Sequence, residues 1–301
     1  MFKEGLNESS RFSGCHPAVN LIFYALAIGI TMFSIDPYFI IVSMIFAWTY
    51  SVLLKGIKVL KINLLLMLPI VIVMTLINGF FTHNGATVLF LLNDSRITLE
   101  ALVYGMASAM LLTNVVIWFT SFNVVMSADK LIYVFGKAAP VLGLTLSMVF
   151  RFIPLLKSRF NEIRMGQQCM GRHTEGGLFT KTRQLCKEVS ILISWSLEAS
   201  IETSDSMEAR GYGLPGRTSF HLFKMSPTDW KVLTATAISG GLALIGCMLG
   251  KTKIYFYPVI VFAEWDAMRV ITIISFAILL SIPLILDITG ERKWRQLRLE
   301  T

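Results

Sequence analysis

The segment SMEARGYGLPGR carries the charged side chain with the clearest chemistry in this apolar chain, because Arg210 stands where a predicted helix ends. A guanidinium stays charged at physiological pH, and its planar fork donates paired hydrogen bonds to a carboxylate. At a rigid helix end, Arg210 could therefore dock onto an acidic groove of another protein. The simpler alternative is a cap in which the arginine interacts with the helix dipole, a gain of about 0.3 to 1 kcal/mol.

The residues around Arg210 explain why a helix would end there. Gly211 can take the left-handed conformation that closes a helix, and Pro215 prevents the helix from resuming. Upstream, four acidic residues recur at steps of four, three and three, namely Glu198, Glu202, Asp205 and Glu208. This spacing predicts a helix from about Thr180 to Arg210 with an acidic stripe on one face.

A second predicted helix ends in a similar way at MGQQCMGRHTEGG, where Gly171 and Arg172 precede a Gly-Gly pair. Two long helices that each end in a glycine and an arginine outside the bilayer suggest two equivalent docking points.

The sequence does not indicate an ATP site, a metal site or a cofactor. GCMLGKT (Gly246 to Thr252) has three residues between its glycines, whereas a phosphate-binding loop requires four. The four cysteines and four histidines form no close pair and no metal-binding spacing. We therefore expect this chain not to be an enzyme and to bind no cofactor or metal by itself.

An ion-coupled carrier usually buries an ionisable residue in mid-membrane. The predicted spans contain Asn78 and Asn114, whereas Glu100 and Asp287 fall at span ends. We expect the asparagines to hydrogen-bond between helices and the carboxylates to anchor helix ends at the membrane interface. This pattern disfavours a secondary transporter.

The elements that must position these helix ends are those of an all-α polytopic membrane protein. Of 301 residues, 54% are hydrophobic and only 15% charged. A spanning helix needs roughly 20 apolar residues. Six stretches meet that requirement: residues 18–35, 37–54, 62–81, 99–122, 232–250 and 270–289.

The basic residues predict the orientation of these spans. If the N-terminus is cytoplasmic, 23 of the 27 lysines and arginines fall on the inner side, and only Arg96, Lys251, Lys253 and Arg269 fall outside. Inner loops of membrane proteins carry such an excess. We therefore expect six spans, both termini in the cytoplasm, and a +8 net charge that favours anionic lipid or an acidic partner.

The spans divide the chain into three predicted regions. Residues 1–122 form an N-terminal membrane region of four helices, residues 123–227 a cytoplasmic region of long helices, and residues 228–301 a C-terminal membrane region of two helices with a basic tail. The middle region is too long for a turn and too regular for a loose linker.

Two prolines mark the first long helix of the middle region. Pro140 stands near its start, where proline is tolerated, and Pro154 predicts a kink. Residues 141–156 could instead form a seventh span. Arg151 lies inside that stretch, however, and an odd number of spans would place the basic tail outside, so we expect six.

Three segments resemble the transmembrane T component of energy-coupling factor transporters, the family that includes the membrane subunit of cobalt and nickel uptake systems. HPAVNLIFYALAI with the later DPYF resembles the family's opening, and APVLGLTLSMVFRFIPLL resembles the start of its long coupling helix. SDSMEARGYG closely matches its second Ala-Arg-Gly motif. The resemblance covers nearly the whole chain.

This sequence departs from the first motif of that family. It usually reads Ala-Gln-x-x-Arg-Gly, and the best register runs from Gly166 to Gly171, which puts Met170 in the arginine's place. Arg172 could substitute from two residues further on, or the first dock could be weaker and apolar.

The resemblance implies a scaffold that links two cytoplasmic ABC-type ATPases, which bind the ATP, to a small substrate-binding membrane subunit for vitamin or transition-metal uptake. It implies a location in the cytoplasmic membrane of a prokaryote, contact with lipid and no nucleic acid. The implied ATPase-docking residues are Ala209, Arg210, Gly211, Met170, Gly171 and Arg172. Those implied to contact the substrate-binding subunit are Pro140, Arg151 and Pro154.

Two other functions fit the sequence less well. A conventional ABC permease would form the substrate path itself, but it docks through a Glu-Ala-Ala loop followed by a distant glycine, which EARGYGLPG does not match. An intramembrane enzyme would need converging catalytic groups at membrane depth.

Overall fold

The computed structural model describes residues 10–82, 85–92, 95–171, 177–214, 223–250, 252, 254–262 and 265–299. Over these residues the chain is mostly helical, with one antiparallel hairpin, β1 (Val88–Leu92) with β2 (Ser95–Thr98), and an isolated antiparallel bridge between Tyr255 and Val261. The helices are α1 (Pro17–Phe33), α2 (Pro37–Lys55), α3 (Lys58–Phe81), α4 (Leu99–Val125), α5 (Ala128–Ala138), α6 (Pro140–Cys169), α7 (Leu178–Ala209), α8 (Pro227–Met248) and α9 (Ala267–Leu299). The all-α prediction is confirmed, while the hairpin was not predicted from the sequence.

The chain divides into two compact units. The bundle unit comprises residues 1–127 and 223–301, and the middle unit comprises residues 128–222. Within the bundle unit α4 packs on α1, α2 and α3, while α9 packs on α2 and α8. Within the middle unit α6 packs on α5 and α7.

Six of the described helices are long and apolar enough to cross a membrane, which makes this a multi-pass membrane protein. Five of them, α2, α3, α4, α8 and α9, coincide with predicted spans. The predicted first span is α1, a shorter apolar helix of 17 residues. The sixth candidate is Val141–Cys169 of α6, which was assigned to the cytoplasmic region. Because length and composition alone place this helix, the six-span topology stays a prediction.

An aromatic cluster forms the core of the bundle unit. Trp118 of α4 is fully buried and donates its indole N–H to the Ser43 hydroxyl at 3.0 Å. Tyr24 of α1 and Tyr50 of α2 lie against the Trp118 ring, with centroids 6.3 and 6.4 Å away. Edge and offset contacts of this kind stabilise beyond the area they bury. The cluster therefore ties α1, α2 and α4 together.

Charged side chains near the predicted span ends are buried inside the bundle unit. Asp287 accepts a hydrogen bond from the Phe12 amide at 2.8 Å, and Glu100 accepts one from the Thr87 hydroxyl at 2.7 Å. Both carboxylates are almost fully buried and hold a neighbouring segment, while their position at the membrane interface stays a prediction. Arg269 is also fully buried and pairs with Asp36 at 2.6 Å, and its predicted place on the outer side of the membrane stays a prediction.

The prediction that Asn78 and Asn114 bond between helices is wrong in this structure. The Asn78 amide donates to the Met74 carbonyl of its own helix at 3.0 Å. The Asn114 amide is buried, and neither of its polar atoms has a hydrogen-bond partner in the described part of the chain. Close helix packing relies on small residues instead: a Cβ built on Gly105 of α4 would lie 2.9 Å from the Thr75 Cα of α3.

Candidate functional site

The C-terminus of α7 is closed by a Schellman motif. The Gly211 N–H donates to the Glu208 carbonyl at 2.9 Å, and the Tyr212 N–H donates to the Met207 carbonyl at 3.0 Å. Gly211 has a φ of 80°, which glycine adopts without the steric cost of a Cβ. Arg210 is therefore the C-cap residue of a locked helix end.

The C-terminus of α6 has matching cap geometry. The Gly171 N–H donates to the Gln168 carbonyl at 3.0 Å, and Gly171 has a φ of 75°. Met170 is the C-cap residue, with φ −78° and ψ 16°, close to the −87° and 8° of Arg210. Met170 and Arg210 therefore occupy equivalent positions, and so do Gly171 and Gly211.

We call Cys169, Met170 and Gly171 the α6 end, and Ala209, Arg210 and Gly211 the α7 end. The side chains of Met170 and Arg210 are both exposed. Arg172, the predicted substitute for the first arginine, lies outside the described residues. The backbone thus presents two similar helix ends that differ in the side chain at the cap.

The acidic stripe of α7 is present as an exposed surface. Glu198, Glu202, Asp205 and Glu208 are all exposed. Over the described residues, neither these carboxylates nor the Arg210 guanidinium forms an ion pair. The α7 end therefore combines an available cation with an adjacent acidic face.

One cation–π contact fixes α6 against α7. The Arg159 guanidinium lies 5.0 Å from the centroid of the Trp195 ring and also pairs with Glu162 at 2.7 Å. At about 1.5 Å of rise per residue, Cys169 lies about 15 Å along α6 from Arg159, and Ala209 about 21 Å along α7 from Trp195. Both helix ends therefore project well beyond this contact. No spacing in the sequence indicated it.

The short helix α5 lies close to α6 because two glycines face each other. A Cβ built on Gly143 would overlap the Cα of Gly136, so any larger residue at position 143 must separate the helices. These glycines were not identified from the sequence, since nothing near them requires a special backbone angle.

The residues predicted to contact a membrane partner all lie on α6. Pro140 is in its first turn, and α6 continues as one helix across Pro154. Arg151 and Pro154 are exposed on the surface of the middle unit. Their contact with a membrane partner stays a prediction.

Two further exposed residues were missed by sequence reasoning. Leu178 and Phe179 open α7 and are 86% and 84% exposed. A recognisable signal was available, because they form an apolar pair directly after the Gly-Gly that ends the connection from α6. In the described part of the chain, no group of three or more His, Cys, Asp or Glu residues could hold a metal ion.

Comparison with known proteins gives a consistent family assignment. The family model described as "CbiQ: Cobalt transport protein" matches residues 8–222. Over 118 residues, 38% of this chain, the sequence is 30% identical to the energy-coupling factor transporter transmembrane protein EcfT of Lactobacillus helveticus. Over 190 residues, 58% of this chain, it is 28% identical to EcfT of Streptococcus equi subsp. equi. The matches span 43% and 69% of those relatives' own lengths.

Proposed function

The chain belongs to the CbiQ cobalt transport protein family, and from this premise we propose that it is the transmembrane coupling subunit of an energy-coupling factor importer. In this role it transmits the ATP-driven motion of two cytoplasmic ATPases to a small substrate-binding membrane subunit. The cargo would be a vitamin or a transition metal. The relatives named EcfT support the transporter class.

The locked α7 end carries this proposal. At 32 residues, α7 is about 48 Å long, and its Schellman cap fixes the direction in which Arg210 leaves the helix. A guanidinium held in this way can form a geometrically specific pair with carboxylates in an ATPase groove.

The GCMLGKT segment supports the assignment of ATP binding to the partners. Gly246 lies within α8, where a Cβ would overlap the side chain of Thr272 on α9. This glycine therefore allows two helices to approach each other closely and is not available to wrap phosphate groups. The ATP that drives transport would be bound by the ATPase subunits alone.

The apolar surface of α6 is the proposed contact for the substrate-binding subunit. Pro140, Arg151 and Pro154 lie in its N-terminal half, together with exposed apolar side chains such as Val149 and Ile153. Apolar surface left uncovered within a chain of this class favours a membrane-embedded partner.

Charge reversal at Arg210 tests the proposal. We expect Arg210→Glu to abolish uptake and to lose the ATPases on co-purification, because it replaces attraction to the groove carboxylates by repulsion. Lys187→Glu, a charge reversal at an exposed position of the same helix, is the matched control and should retain both. If Arg210→Glu kept normal ATPase binding and uptake, Arg210 would be only a helix cap and the proposal would fail.

A further inference from the structure

The two helix ends share a backbone but not a chemistry. We infer, resting on the proposed ATPase docking, that the α6 end inserts Met170 into an apolar socket of its ATPase partner, whereas the α7 end takes a socket that carries carboxylates. The two ends are then not interchangeable.

The equivalent caps indicate that both ends present their side chains in the same way. Each has its exposed residue at the C-cap, followed by a glycine at φ 75° or 80° and the same short hydrogen bond back to the helix. A partner that recognises the shape of one end would accept the shape of the other. The discriminating feature is therefore the side chain at position 170 or 210.

Exposed apolar side chains flank, in sequence, the connection between α6 and α7. Met170 and Met165 are 64% and 58% exposed on α6, and Leu178 and Phe179 are exposed even further at the start of α7. The corresponding stretch before Arg210 instead carries the acidic stripe. Methionine is flexible and polarisable, and it fills irregular apolar gaps well.

An arginine would bind poorly in the socket that we infer. Burying a guanidinium against apolar groups costs free energy unless carboxylates pair with it. Met170→Leu conserves size and polarity and is the matched control. We expect Met170→Leu to bind as the parent does, and Met170→Arg to weaken docking of the α6 end by roughly tenfold or more, about the loss of one well-buried apolar side chain.

Two matched thiols can report each end separately. Cys169 is a native exposed cysteine one residue before Met170, and Ala209→Cys places a thiol one residue before Arg210. The full chain in nanodiscs would be alkylated with maleimide, with and without its purified ATPase pair. Mass spectrometry would then quantify protection at each position, with the buried Cys15 as the unreactive reference.

We expect the ATPases to protect Cys169 in the parent and in Met170→Leu. In Met170→Arg we expect that protection to be lost, with protection of the Ala209→Cys thiol unchanged. Equal or stronger protection of Cys169 in Met170→Arg would overturn it, because the socket would then accept a cation as the Arg210 socket does. If the ATPases protected neither thiol in the Ala209→Cys chain that keeps Met170, the proposed function itself would fail. The two failures are therefore distinguishable.

Discussion

The centre of the bundle unit and helix α6 of the middle unit use similar apolar residues in opposite ways. In the apolar segments of α4 and α9, 39% and 50% of residues are buried inside the structure, whereas in α6, as in α3 at the periphery of the bundle unit, only 6% are. In the bundle unit α4 packs on α1, α2 and α3, while over the described residues α6 packs on α5 and α7. The apolar content of a helix therefore indicates how much of its surface must be shielded from water. It does not indicate whether other helices of the same chain provide that shielding.

The difference predicts where substitutions destabilise the fold and where they affect only assembly. Core residues of the bundle unit should change the free energy of unfolding, because their contacts are internal. Exposed apolar residues of the middle unit should leave it nearly unchanged and act through partners instead.

The largest effect is expected at the centre of the bundle unit. Trp118→Ala removes a fully buried indole and its bond to Ser43, so it should lower the free energy of unfolding by about 3 to 5 kcal/mol. Denaturant unfolding in mild detergent measures this. Trp230→Ala, at a tryptophan that is 56% exposed, is the control. Equal stability losses in the two variants would remove the contrast between core and surface.

The buried ion pair should give the next largest effect. Arg269→Met leaves Asp36 buried without its cation, although Asp36 still accepts a bond from the Tyr38 amide at 3.0 Å. We expect Arg269→Met to lower the free energy of unfolding by about 3 kcal/mol. The double variant with Asp36→Asn removes both charges and should recover most of it. A double variant less stable than Arg269→Met would show that Asp36 stabilises the fold without its partner.

A smaller and local effect is expected where α5 meets α6. Gly143→Ala places a methyl group against the backbone of Gly136, so it should lower the stability of the α5–α6 packing by about 1 to 3 kcal/mol. Faster hydrogen exchange of the α5 amides would measure this loss. Gly166→Ala on the same helix meets nothing within 4 Å and should be neutral or slightly stabilising, because alanine favours helix. Unchanged exchange in Gly143→Ala would contradict the close packing.

The smallest effect on stability is expected on the exposed face of α7. Leu197→Ala truncates a side chain that is 63% exposed, so the free energy of unfolding should change by no more than about 0.5 kcal/mol. The measurement is the same denaturant titration as for Trp118. A loss approaching that of Trp118→Ala would mean that this face is packed within the isolated chain.

Much of the architecture was readable from the sequence because it depends on local features. Among the residues that the structure describes, apolar length identified five of the six helices long enough to span a membrane, since the required length follows from the thickness of the hydrocarbon core. Gly211 marked the end of α7, because few other residues adopt its φ of 80°. The resemblance to the T-component family, carried by short motifs, was confirmed by comparison with known proteins.

Only the tertiary structure decided which distant groups meet. Arg269 pairs with Asp36, 233 residues away, and the Phe12 amide reaches Asp287 across 275 residues. No local spacing encodes such pairs, because they arise when helices far apart in sequence pack together and a buried charge must find a partner. The motif register had already put Met170 in the place of the arginine, and the backbone hydrogen bonds add that the cap geometry at Met170 matches that at Arg210.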